Sequence, residues 1–82
     1  MRKMKNKYGQ VTVREHIILK NFWEYYITDQ VFSDDGDIVQ AVVMGFETEV
    51  GDISLKEIES HIVTRSKKLN MMPADGWQWV GE

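Results

Sequence analysis

Trp23-Glu24-Tyr25-Tyr26-Ile27-Thr28-Asp29-Gln30-Val31-Phe32 is followed by Ser33-Asp34-Asp35-Gly36-Asp37 and then by Ile38-Val39-Gln40-Ala41-Val42-Val43-Met44-Gly45-Phe46. Two runs rich in β-branched and aromatic residues flank a cluster of turn formers, which is the pattern of a β-hairpin over 23–46. With Asp35-Gly36 at the centre of a type I′ turn, Phe32 is expected to face Val39, Ile27 to face Met44, and Tyr25 to face Phe46. Strand alternation then sorts the side chains onto two faces. Trp23, Tyr25, Ile27, Val31, Ile38, Val42, Met44 and Phe46 form the expected core face. The opposite face carries Tyr26, Phe32, Val39, Ala41 and Val43 with Glu24 and Glu47, and Glu49 follows close behind. That second face is too apolar to be a purely solvated surface.

Downstream, Ser54-Leu55-Lys56-Glu57 has the spacing of a capping box. Leu55, Ile58, Ile62 and Leu69 recur at helical intervals, and Arg65, Lys67 and Lys68 would suit the negative end of a helix dipole. A helix over 55–68 follows, ended by Asn70 and Pro73. Asp75-Gly76 marks another turn, and Trp77-Gln78-Trp79-Val80 reads as a closing strand over 77–80. Upstream, Thr12 and Glu15 repeat the capping-box spacing, and Val13, Ile17, Ile18 and Phe22 fit a helical stripe. A short helix over 13–22 is therefore expected, with a strand as the alternative because Val and Ile are abundant. The sum is an α+β fold: a small antiparallel or mixed sheet of about three strands packed by helix 55–68 and the short helix 13–22. Residues 1–10, polar and basic, read as a flexible arm, and 11–82 as a single small domain.

The net charge of −3 hides a segregation. Residues 1–20 hold six Lys or Arg against one Glu, whereas 21–53 hold eight Asp or Glu and no Lys or Arg. The chain has no cysteine, which excludes disulfides, thiol catalysis, thiolate zinc and iron–sulfur clusters, and favours a cytoplasmic setting. No stretch reaches the ~20 apolar residues of a membrane-spanning helix, so no membrane partner is expected.

Catalytic and cofactor signals are weak. Asp34-Asp35-Gly36-Asp37 lacks the ligand spacing of a calcium loop and is explained by a turn. Glu57 and His61, four apart, read as a surface pair rather than as zinc ligands. The serines sit in turn, cap or helix positions, and the glycines form no phosphate loop. No metal, cofactor, small-molecule substrate or enzymatic activity is expected. The favoured role is a protein-interaction or regulatory module, binding a protein partner or itself as a homodimer through Glu24, Tyr26, Phe32, Val39, Val43, Glu47 and Glu49. The second reading is nucleic-acid binding through Arg2, Lys3, Lys5 and Lys7 of the arm, set against the repulsion of the acidic middle segment.

Overall fold

Val11, Thr12, Val13, Ile17 and Ile18 have stiff, branched side chains that fit a pleated ribbon better than a helix. They lie in a strand of eleven residues, β2 (Gly9–Leu19), where a helix over 13–22 was expected. The computed structural model describes residues 1–81. Among these, β1 (Arg2–Asn6), β2, β3 (Glu24–Val31), β4 (Ile38–Met44), β5 (Thr48–Ser54), β6 (Ile62–Ser66) and β7 (Gln78–Trp79) make one antiparallel sheet. The order is β5-β4-β3-β2-β1-β7, with β6 lying beside β2 off that path. The expected sheet of about three strands packed by two helices is therefore corrected to a seven-stranded sheet with a single helical turn.

The length of β2 makes this arrangement work. Its first part, Gly9–Val13, pairs with β1, and its last part, His16–Leu19, pairs with β6. Both partners share the edge opposite β3, so they lie end to end along one strand. Arg14 is an extra residue between the Val13–Thr28 and Glu15–Ile27 pairs, a bulge that re-aims the side chains around it.

Residues 1–10 are not a free arm. Met4 is fully buried, and β1 is held by β2 on one side and by β7 on the other. The closing strand is thus antiparallel to β1 and is hydrogen-bonded to it rather than to a hairpin strand. Its Trp79 indole donates to the carbonyl of Met71 at 2.9 Å.

Helix 55–68 is corrected to one turn. Ser54 does act as its N-cap, accepting from the Glu57 amide at 3.3 Å. The helix α1 nevertheless stops at Ile58, passes through a 3-10 turn at Glu59–His61, and becomes β6. An isolated helix this short is marginal, and the branched run Ile62-Val63-Thr64 gains more from the vacant edge of β2.

The chain does double back between β3 and β4, but through five residues rather than two. Phe32 N–H donates to the Ile38 carbonyl, and Gly36 N–H to the Ser33 carbonyl. Only Gly36 of the loop has positive φ, whereas a type I′ turn needs it at both central residues. An irregularity between Ile27 and Val31 then shifts the register further, so Tyr25 faces Val43 and Ile27 faces Ala41. The expected pairing is off by three residues along most of the ladder, and an odd slip exchanges the faces of one strand relative to the other.

The result is a sheet buried on both sides. One side joins Met4, Val13, Tyr26 and Val42 to Leu69, Ala74 and Trp79 of the C-terminal segment. The other joins Ile17, Leu19, Tyr25, Ile27, Val39 and Ala41, covered by Leu55, Ile58 and Ile62.

Candidate functional site

The start of β3 lies beside the end of β4, so the β2–β3 and β4–β5 turns meet at one end of the sheet. Three aromatic residues gather there. Phe22 is 85% exposed and Phe46 95% exposed, while Trp23 is half-buried between them and the sheet. The Trp23 and Phe46 rings meet edge to face, their centroids 5.3 Å apart.

Local chemistry fixes this tip. The β2–β3 link is tight: Leu19 N–H donates to the Trp23 carbonyl, and Phe22 N–H donates back to the Leu19 carbonyl, both at 2.9 Å. Asn21 Oδ1 accepts from the Trp23 amide at 3.1 Å, the side-chain turn for which Asn is suited. Closing the link in so few residues forces Phe22 to φ +69°, alone among the non-glycine residues described. A bulky side chain in that region costs about 1–2 kcal/mol. On the facing turn, Gly45 lets the Trp23 ring lie against the backbone; a Cβ there would come within 2.8 Å of the ring.

Beneath the tip is a cleft of about 320 Å³ lined by Leu19, Lys20, Asn21, Trp23, Tyr25, Ile58 and His61. Its base is apolar and its rim polar. Burial raises the Tyr25 phenol above its ordinary value, so it stays a neutral donor there. Glu47 and Glu49 are exposed in the adjoining turn and strand. Glu24 is turned toward His16, its carboxylate 2.9 Å from the imidazole Nε2.

The expected docking residues do not form one surface. Tyr26 and Val39 lie in the cores on opposite sides of the sheet, and Val43 packs half-buried beside Val39. Tyr26 donates its hydroxyl to the Met72 carbonyl at 2.9 Å. Its pKa is pushed far up, first by burial and then by the charges of Glu24 and Asp75. Phe32 is exposed, but at the far end of β3 beside the Ser33–Asp37 loop. Of the expected set, the glutamates remain near the aromatic tip, while the apolar members are replaced by Phe22, Trp23 and Phe46. The signal for this was present: the branched run of β2 ends at Leu19, and Lys20-Asn21 before Phe22 reads as a turn rather than as a helix end.

The acidic loop is structural. Asp37 accepts from the Ser54 hydroxyl at 2.6 Å and the Lys56 amide at 2.8 Å, which ties the loop to α1. Asp35 accepts from the Ser33 hydroxyl and the Asp37 amide and pairs with Lys56 at 3.1 Å, which holds its carboxyl down at about 2. Among the described residues no three His, Cys, Asp or Glu gather closely enough to hold a metal ion. Nor is any helix among them long and apolar enough to cross a membrane. Of the basic residues, Lys3 and Lys5 project from β1 into solvent, Lys7 lies over the Tyr8 ring, and the Arg2 guanidinium sits 4.3 Å above the Trp79 ring. No protein-family model matches the chain, and neither a curated protein nor a solved structure does.

Proposed function

We propose that this is a small non-enzymatic interaction module of the cytoplasm that holds a partner protein through the aromatic tip. The observation that supports it best is Phe22, a ring almost wholly in water on a backbone that favours glycine. Folding gains nothing from that combination, and a docked partner does: burying each of the Phe22 and Phe46 rings is worth about 1.5–3 kcal/mol. Glu47 and Glu49 beside the rings select a partner whose apolar knob is flanked by Lys or Arg.

A photo-activatable phenylalanine analogue placed at 22 or 46 in the native host, with position 8 as control, tests this. Tyr8 is equally exposed but lies at the other end of β2. The expected result is one discrete protein adduct from 22 and 46 and none from 8. The Phe22→Ser/Phe46→Ser double variant should lose that partner in quantitative capture. An adduct of twice the chain mass would mean self-association, and no adduct at all removes the proposal.

A further inference from the structure

The cations that look scattered in the sequence are brought together by the β1–β2–β6 edge. Met4, Val11 and Val13 point into the core on one side, so Lys3 and Lys5 must point to the other. Thr12, paired with Lys3, shares that side, and the bulge puts both Arg14 and Glu15 there. Across the β2–β6 ladder Arg65 pairs with Ile17 and reaches back to the Glu15 carboxylate. Lys67 completes the group, lining with Met1, Arg14 and Glu15 a cleft of about 360 Å³.

Among the described residues Glu15 is the only carboxylate in this group, and it is buried. It holds Arg65 directly and lies 4.0 Å from the Arg14 Nε. It cancels one charge and holds one guanidinium group, leaving Lys3, Lys5 and Lys67 facing solvent with the two arginines partly exposed beside them. Arg14 Nε is withdrawn from solvent and has no hydrogen-bond acceptor among the described residues. A buried donor without a partner costs roughly 1–3 kcal/mol, so the cleft is built one oxygen short.

We infer that this face binds the sugar–phosphate backbone of a nucleic acid without reading its sequence. Lys3 and Lys5 are about 6.7 Å apart along the strand, close to the step between successive phosphates of one nucleic-acid strand. The rings of the tip lie at the other end of β2, and the exposed ring at this end is the lone Tyr8 of the β1–β2 turn, so no row of stacking rings accompanies these cations. Three of the eight acids of the middle segment, Asp34, Asp35 and Asp37, lie in the loop after β3 that ties to α1 rather than to this edge.

Titration of a fluorescent generic duplex with the whole protein, from about 50 mM to about 200 mM NaCl, tests the inference. Five cations less one carboxylate give a net of four phosphate contacts, so affinity should fall about 150-fold across that range. Lys3→Gln/Lys5→Gln changes only exposed residues and keeps Glu15 and its arginines intact; circular dichroism checks its fold. Its affinity should fall only about 12-fold over the same range, because two contacts are gone. Fluorescent polyglutamate provides the second arm. Binding of polyglutamate as tightly as the duplex would assign the face to an acidic protein instead. That result overturns the inference, as does no binding at about 100 μM protein in low salt, or an unchanged salt slope in the variant.

Discussion

Replacing Phe22 should reverse the usual order of glycine and alanine. At an ordinary position glycine is the less stable choice by about 0.5–1 kcal/mol, because it loses more freedom on folding. At φ +69° every side chain with a Cβ meets the following carbonyl, a penalty of about 1–2 kcal/mol that glycine escapes. The Phe22 ring is 85% exposed, so removing it forfeits only about 0.3 kcal/mol of burial. Phe22→Ala should therefore be destabilised slightly, by that lost contact alone. Phe22→Gly should be more stable than Phe22→Ala by about 0.5–1 kcal/mol, and equal to or above the parent. For a chain of this size the gap is worth about 2–8 °C in Tm, readable by thermal or urea denaturation followed by circular dichroism. Were Phe22→Ala as stable as Phe22→Gly, the backbone would not be held in the left-handed region, and the strain behind the docking proposal would be absent.

Gly45→Ala should cost about 1–3 kcal/mol, since the new methyl meets the Trp23 ring at 2.8 Å; thermal denaturation reads it, and an unchanged Tm would mean that the ring moves freely. Tyr26→Phe removes the bond to the Met72 carbonyl and should cost about 0.5–1.5 kcal/mol, with faster amide exchange around 69–79 as the specific readout. Acid should weaken the loop clamp in a set direction. The Asp35 carboxyl is held down at about 2 when folded and has its ordinary value of 3.8 when unfolded, so its contribution is present above pH 4 and fades as pH falls from about 4 through about 2. Asp35→Asn should thus trail the parent at pH 6, with the gap shrinking as pH falls through about 2, and a gap independent of pH would assign the loss to hydrogen bonds alone.

What the sequence made legible was local, and what it hid was pairing. The run Ile38–Met44 is apolar on both parities apart from Gln40, which already says that both faces of that strand are covered. Ser54 caps a helix as its spacing indicates. The length of that helix was not legible, because Ile62 and Val63 fit a helical stripe and a strand alike; the free edge of β2 decides, and no local pattern reports a free edge. The same ambiguity applies to Val13, Ile17 and Ile18, whose i, i+4 spacing also suits a strand buried on both sides. The arm hid its strand for a different reason. Lys3 and Lys5 alternate with Met4, a period of two too short to stand out until β2 and β7 lie on either side of it. At the candidate site, the hydrophobicity of Phe22 and Phe46 was visible but pointed inward; their exposure follows from turn geometry set by Asn21 and Gly45.

A core this small seldom supplies more than about 3–5 kcal/mol of net stability, and no cysteine is present to add to it. Against that margin, about 1–2 kcal/mol of strain at one residue is a large fraction. Buried strain can be repaid by packing around it, but Phe22 has almost nothing packed around it. The second exposed ring, Phe46, is likewise held in place by contacts that do not hide it, through its edge on Trp23 and the adjacent Gly45 that lets Trp23 lie flat. Two exposed rings, one of them held at a cost to folding, on turns joined to the same sheet, constitute a surface shaped before any partner arrives. Pre-shaping spares a partner the ordering cost of loose side chains, about 0.5–1.5 kcal/mol for each one immobilised. On this reasoning the Phe22→Gly variant should fold at least as well as the parent and bind worse, so stability and binding move in opposite directions at one residue. A residue that served only the core would move both the same way.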